Sequence, residues 1–256
     1  MQKSGQKFAI GVDVGGSSIK CALVDLEAGA LVGERHSIRT PAQDPIDTLL
    51  EALAVVVSRT PGDHPVGIAF PSVIVRGTVR TAAHLNKAWI GQPLAALAAA
   101  RLGRPVAAIN DADAAGLAEQ RYGAAKGVRG TVLLLTLGTG IGSALFIDGR
   151  LVPNTELGHL QVGGREAEER AAARIKVECN LSWDAWTDEL NLVIAELHAL
   201  LWPDVIVLCG GITEHPENFM PKLHCEAELR VGALRADAGI VGAALAAASP
   251  QERGGH

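Results

Sequence analysis

Two glycine-rich turns divide the chain into halves. The first is Asp13-Val14-Gly15-Gly16-Ser17-Ser18-Ile19-Lys20 and the second is Thr136-Leu137-Gly138-Thr139-Gly140-Ile141-Gly142-Ser143. Each follows a strand-like apolar run, Phe8 to Val12 and Val132 to Leu135. Each is followed by another, Cys21 to Val24 and Ala144 to Ile147. Laying Gly15 on Gly138 lays Asp25 on Asp148, so the two segments share length, turn chemistry and ending. Glycine lets a backbone turn tightly and approach a ligand, and successive exposed N–H groups in such a turn form an anion-binding nest. One such turn is compatible with an ordinary hairpin. Two in register, each heading about half of the chain, predict a duplicated phosphate-gripping unit with a cleft between the halves.

The 256 residues are 48% hydrophobic and 20% charged, enough for one large domain or two small ones with a sizeable core. Alanine and glycine dominate while aromatics are scarce, which favours tight helix-on-sheet packing and argues against disorder. A net charge of −5 gives no global basic field, so no nucleic-acid partner is expected. No apolar run reaches the roughly 18 to 20 residues that cross a bilayer, so no membrane partner is expected either. The polar Met1 to Lys7 leads directly into the first strand without a signal-peptide pattern, which makes the cytoplasm the expected location. Cys21, Cys179, Cys209 and Cys225 are widely spaced and form no C-x-x-C pair; they are expected reduced and packed.

In the first half, strands are predicted over Phe8 to Asp13, Ile19 to Asp25 and Ala30 to Ser37, joined as a meander. A helix is predicted from Asp44 as N-cap, with Pro45 at its first position. Its apolar positions Ile46, Leu49, Leu50, Leu53, Val56 and Val57 keep helical spacing. Val66 to Phe70 reads as a buried strand, Ile74 to Thr81 as a hairpin turning at Gly77, and Leu94 to Arg101 as a helix. Strand Val106 to Ile109 stops at Asn110-Asp111, and a helix follows over Ala112 to Tyr122. The second half repeats the plan with strands Thr131 to Leu137, Gly142 to Asp148 and Leu151 to Pro153. Helices are predicted over Glu166 to Glu178 and Asp184 to Leu201. The core face of the latter is Trp186, Leu190, Val193, Leu197 and Leu200. Val205 to Cys209 reads as a buried strand running into Gly210-Gly211. A last helix runs from near Asp237 to Ala248, and Pro250 to His256 is expected to fray.

Asn110-Asp111 stands at the carboxyl end of a strand just before a helix, the usual place for ligands in α/β sheets. There an aspartate can accept a proton from a hydroxyl nucleophile and an asparagine can hold sugar hydroxyls; equally, Asp111 can simply cap the helix. Glu156 and His159, in the loop after Asn154-Thr155, read either as solvated surface or as site. Gly210-Gly211 can let a phosphate chain approach a helix start, although strand-to-helix turns use glycine for ordinary reasons too. Neither glycine turn is a Walker motif, and Gly138 to Gly142 does not make G-x-G-x-x-G, which argues against dinucleotide binding.

Taken together, Asp13 to Lys20, Asn110 to Ala115, Leu135 to Gly142, Glu156-Leu157-Gly158-His159 and Cys209-Gly210-Gly211 occur in an order that resembles the ROK family of sugar kinases and repressors. Longer stretches resemble the polyphosphate glucokinase branch of that family. They are Arg80 to Ala83, Trp89 to Gly91, Asn110 to Glu119, Thr131 to Phe146, Val152 to His159, Leu181 to Trp183 and Ala238 to Ala244. The resemblance implies an α/β, actin/hexokinase-like (ribonuclease H-like) duplicated fold with two lobes around a central cleft. The expected division is a small lobe over 1–111, completed by the C-terminal helix 237–248, and a large lobe over 112–236. The implied activity is transfer of a phosphoryl group from inorganic polyphosphate, with ATP as an alternative donor, to glucose, with mannose as a second candidate acceptor.

The resemblance also assigns roles. Asp111 is implied as the catalytic base, and Asn110, Glu156, His159 and Glu168 as sugar ligands. Asp13 would hold magnesium, while Gly15, Gly16, Ser17 and Lys20 face the donor. Gly138, Thr139 and Gly140 would form a second phosphate loop, with Gly210 and Gly211 also on the donor side. Partners are then glucose and polyphosphate or ATP, in a homodimer. The chain departs from the family in several places. No cysteine lies between His159 and Cys179, so no zinc is predicted, and only seven residues precede Phe8, where repressors carry a DNA-reading module. Ile212-Thr213-Glu214-His215 is acidic where the branch has lysines. Ser18 and Cys21 stand in place of glycine, and His84 in place of asparagine.

Overall fold

The structure, a computed structural model, describes residues 7–83 and 85–248. His84 and the tail expected to fray, Pro250 to His256, lie outside the described residues. Contacts divide the described chain into two compact units, 7–118 with 237–248, and 119–236.

In the first unit the meander β1 (Phe8–Val14), β2 (Ser18–Asp25) and β3 (Ala30–Arg39) leads to α1 (Ile46–Ser58) and β4 (Val66–Phe70). A hairpin of β5 (Ile74–Val75) and β6 (Thr78–Val79) follows, then α2 (Leu94–Leu102), β7 (Val106–Asn110) and the start of α3 (Asp111–Tyr122). The hairpin turns through Arg76 and Gly77, both with positive φ, the geometry that matches strand twist in a two-residue turn. The sheet order is β3-β2-β1-β4-β7, antiparallel through the meander and parallel from β1 to β7.

Alternation along β1 sorts its side chains between two faces. Ile10, Val12 and Val14 join Leu49, Leu53 and Val56 of α1 in one core. The opposite face is covered by the C-terminal helix, Ala238–Ala248, which is apolar nearly all round and buried over most of its length. That helix lies directly on the strand backbone: a Cβ at Gly67 would collide with the carbonyl oxygen of Ala243. Alanines Ala69, Ala114 and Ala243 complete this thin layer.

The second unit is built from β8 (Thr131–Leu137), β9 (Ile141–Ile147), β10 (Arg150–Val152), the small pair β11 (Gln161–Val162) and β12 (Arg165–Glu166), α4 (Ala167–Ala171), α5 (Ala173–Glu178), α6 (Trp183–Leu201), β13 (Val205–Cys209) and β14 (Glu228–Val231). The C-terminal helix is then α7. The sheet order, β10-β9-β8-β13-β14, repeats that of the first unit strand for strand, with the same directions. Its core is aromatic. Trp183 stacks on Phe219 with centroids 6.0 Å apart, Trp186 meets Phe219 edge-on at 5.4 Å, and the Trp186 indole N–H donates to the Ala171 carbonyl at 3.1 Å.

Several expectations need correction. The two glycine turns differ in length: Val14 pairs with Ile19 across Gly15 to Ser18, whereas Leu137 pairs with Ile141 across Gly138 to Gly140. Asp25 therefore pairs with Phe8, while Asp148 lies past the Thr131–Ile147 pair in a turn with φ 50°. Asp44 does not cap α1. It is tied into the preceding turn by its N–H to Pro41, and Pro45, with an extended ψ of 153°, is the cap residue. The single helix expected over Glu166 to Glu178 is broken at Ala172, whose ψ of 146° lets Arg174 N–H reach the Gly138 carbonyl at 3.1 Å.

Leu200, expected in the core, is 57% exposed, because the buried stripe steps from Leu190 through Ile194 and Leu197 to Leu201, which packs against the core in its place. All four cysteines are free, but Cys179 is exposed rather than packed; burial pushes the Cys21 thiol up to about 11 and the Cys209 thiol higher still. Contacts divide the two units inside α3, after Ala118. Ala114 and Ala118 are fully buried in the first unit. The next residue, Glu119, is fully buried too, and its carboxylate accepts the N–H groups of Ala124, Ala233 and Leu234 at 2.7, 3.0 and 2.8 Å in the second.

Candidate functional site

Parallel strands present the loops at their carboxyl ends to ligands, and the residues singled out from the sequence fall at such ends in both units. In the first unit, the β1–β2 turn is braced from β3. Thr40 donates its N–H to Ser17 O at 3.1 Å and its hydroxyl to Gly15 O at 2.7 Å, leaving Gly16 and Ser17 exposed. Asp13 lies opposite Lys20 in the ladder, with Nζ 3.8 Å from Oδ2. Burial pushes the Asp13 carboxyl up, against the pull of Lys20. Its surroundings fit a divalent cation: the carboxylate is a hard oxygen ligand short of positive charge. The absence of a side chain at Gly239 keeps room beside it, since a Cβ there would stand 2.9 Å from the carboxylate carbon.

At the end of β7, Asn110 is the residue that caps α3. Its Oδ1 accepts the Asp113 N–H at 3.0 Å and its Nδ2 donates to Ser72 O at 3.2 Å. Asp111 is the first helical residue, half-buried, with Oδ1 accepting the Ala112 N–H at 2.9 Å. The capping alternative raised for Asp111 thus belongs to its neighbour. The helix dipole favours acidic side chains in the first turn, and Asp113 joins Asp111 there.

In the second unit, the Glu156–His159 loop is docked, not loose. Ser143 of β9 donates its hydroxyl to Thr155 O at 2.6 Å and accepts the Leu157 N–H at 3.1 Å. A Cβ at Gly158 would collide with the Ile141 carbonyl. His159 Nε2 is 3.8 Å from Glu156 Oε2, and its Nδ1 is 2.9 Å from Glu166 Oε2. The Glu166 hydrogen bond, above all, raises the His159 pKa, with the charges of Glu168 and Glu156 adding. Burial first, then the charge of Glu168, pushes Glu156 up, while His159 opposes. Glu168 accepts the Ile141 N–H at 3.4 Å. His159, Glu166 and Glu168 offer ligand atoms within 4.8 Å of one another, a spacing already used by the His159–Glu166 bond.

The second glycine turn is closed by Gly138 N–H to Gly140 O at 3.0 Å and braced by Arg174, whose Nε donates to Thr139 O at 2.9 Å. Gly210 has φ 102° and abuts the Leu137 carbonyl, so the late glycine pair and the second turn stand side by side at one end of the sheet. Glu214 is exposed in the short 3-10 turn over Gly211–Glu214.

Sequence reasoning missed Thr40, Ser143, Glu166 and Arg174, which orient the chemistry rather than supply it. Glu166 was the most accessible of these, since a glutamate seven residues after a histidine, across a tight turn at Gly163-Gly164, can fold back onto it.

A model described as the ROK family matches residues 9–180. The chain is 44% identical over 242 residues to polyphosphate glucokinase from Mycobacterium tuberculosis (strain CDC 1551 / Oshkosh), covering 94% of this chain and 91% of that one. It is 42% identical over 237 residues to polyphosphate glucokinase from Mycobacterium leprae (strain TN), covering 92% of this chain and 73% of that one. Among solved structures it is similar to the inorganic polyphosphate/ATP-glucomannokinase from Arthrobacter sp. strain KM, with 45% identity, 94% and 98% coverage and a TM-score of 0.90.

Proposed function

The chain belongs to the ROK family and has the actin/hexokinase-like fold of its sugar kinases, and from that premise we propose that it is a polyphosphate glucokinase. It transfers the terminal phosphoryl group of inorganic polyphosphate, with ATP as an alternative donor, to the 6-hydroxyl of glucose. The observation that carries this reading is the 44% identity to a polyphosphate glucokinase over 94% of the chain.

The residues support the division of labour. Phosphoryl transfer asks a protein mainly to position its reactants and to neutralise charge. In the first unit, Asp111 accepts the proton of the attacking hydroxyl. Asn110, its side chain fixed by Ser72 and Asp113, offers its second N–H to the sugar. The exposed turn at Gly15, Gly16 and Ser17, with Lys20, grips donor oxygens. In the second unit, Glu156 and Glu168 accept hydrogen bonds from sugar hydroxyls. His159, held by Glu166, is oriented toward the same ligand. Gly138, Thr139, Gly140, Gly210 and Gly211 offer backbone N–H groups to phosphate. Asp13 would hold magnesium, which supplies charge neutralisation on the donor when bound.

A second reading, a kinase that prefers ATP, is favoured by one observation. Glu214 stands exposed beside the late glycine pair, where a long polyanion would meet negative charge. Purified protein incubated with glucose, magnesium and either donor decides between them. Glucose 6-phosphate is expected from polyphosphate; product from ATP alone would leave a sugar kinase and overturn the donor assignment.

A further inference from the structure

The first unit carries a cleft of about 600 Å³, walled on one side by Gly16 and Ser17 and on the other by Arg39, Pro41, Gln43 and Asp44. Resting on the donor reading above, we propose that this cleft is an oligophosphate subsite, in which Arg39 holds phosphates of the donor chain beyond those gripped by the glycine turn.

The cleft and the turn share a wall. Thr40, 6% exposed, bonds to both Ser17 O and Gly15 O, so the turn and the wall of the cleft are held together. The strand register continues the line. Lys20 faces Asp13 across β1–β2, and Ser18 faces Arg39 across β2–β3. Lys20 and Arg39 are therefore diagonal neighbours on one face, a relation that spaces residues about 7–8 Å apart. Both cations lie on a path leading outward from Asp13 and the turn. Among the described residues Arg39 is exposed and has no ion-pair partner, and a guanidinium fork matches phosphate oxygens.

The far wall is pre-formed. Asn86 donates from Nδ2 to Gln43 O at 3.0 Å and to Asp44 O at 3.3 Å, and from its N–H to Ala42 O at 2.8 Å. It also caps the short turn that begins with the exposed Lys87. A wall fixed before binding loses little freedom on binding. The lining contains no aromatic ring and no large aliphatic side chain. A nucleoside base would have nothing to stack on there, whereas a repeating anion needs only charge and donors. Asp44 opposes that anion and sets a limit on affinity.

The test compares wild type, Arg39→Ala and Asp44→Asn by kinetics with long-chain polyphosphate and with ATP, and by calorimetric titration of each protein with polyphosphate alone. Arg39→Ala is expected to raise the polyphosphate KM and Kd about fivefold, the range of one exposed charge contact. It should leave the ATP and glucose KM values within about twofold and flatten the salt dependence of polyphosphate binding by about one counterion. Asp44→Asn should tighten polyphosphate binding. If Arg39→Ala weakens ATP and polyphosphate alike, Arg39 shapes the turn and the subsite is wrong. If it alters neither, the subsite is equally wrong. A wild-type protein that neither binds nor uses polyphosphate refutes the donor reading itself, and the subsite with it, before any variant is compared.

Discussion

The two five-stranded sheets have one order and one set of directions, yet α7 on the first and α6 on the second cover them in contrasting ways. On the first, α7 rides on bare backbone at Gly67 and against alanines, a layer only as thick as a methyl group. On the second, α6 stands off behind Trp186, with Trp183 and Phe219 closing the cluster. The shared order explains why glycine turns appear after β1 and β8. The difference in packing follows from what each unit positions. The thin layer brings the first turn of α7, at Gly239, up to Asp13. The thick one supports a helix pair, α4 and α5, whose break frees Arg174 to hold the second turn. Strand order fixes where ligand loops occur, and the cover of each sheet decides which polar groups those loops can use.

The contrast can be broken from either side. Removing atoms should hurt the second unit most: Trp186→Ala is expected to cost about 3–5 kcal/mol, read from urea unfolding. Adding one methyl should hurt the first, with Gly67→Ala costing about 1–3 kcal/mol through overpacking. A neutral Gly67→Ala would show that α7 does not lie on β4.

The division of chemistry is sharpened by a second pair. Asp111→Asn should lower kcat by about 10²-fold or more, as loss of a general base does, with an unchanged unfolding curve. Normal turnover in that variant would return Asp111 to the helix start as a structural residue. Glu156→Ala in the other unit should instead weaken glucose use by roughly 1–3 kcal/mol, the range for a buried hydroxyl left without its partner, while donor KM stays put. Equal damage to both substrates would contradict the assignment of Glu156 to sugar binding.

The smallest effect concerns His159. Its pKa lies above the ordinary 6.5, chiefly through Glu166, so the pair favours the folded state fully below about 6.5 and loses that contribution as pH rises through the folded pKa. Glu166→Gln should move the His159 titration, followed by NMR, back down toward 6.5. No movement would show that Glu166 does not hold the ring.

Much of this was legible in the chain because the informative residues are local. A glycine turn between two apolar runs determines a hairpin, and Asn110-Asp111 between a strand and a helix determines a strand end. What escaped was decided at a distance. Asp44 has the chemistry of a cap, but Asn86 claims the loop that contains it. Nothing near Ala172 signals a break; the helix ends there because Arg174 is drawn to Gly138. β14 alternates charged Glu228 and Arg230 with apolar Leu229 and Val231, but four residues are too short a run to mark a strand, and it is the pairing with β13 along its whole length that makes it one. The one-residue difference between the two turns changes register without changing composition.

The central claim is that polyphosphate gives its terminal phosphoryl group to the 6-hydroxyl of glucose. Phosphorus NMR of the protein with glucose, magnesium and polyphosphate of defined length tests it most directly. The account predicts a growing glucose 6-phosphate signal, matched by loss of internal phosphate units while the chain-end signal holds, since each transfer exposes a new chain end, and little free orthophosphate. Release of orthophosphate without a sugar ester, or an unchanged polyphosphate spectrum while ATP supports the ester, would contradict it.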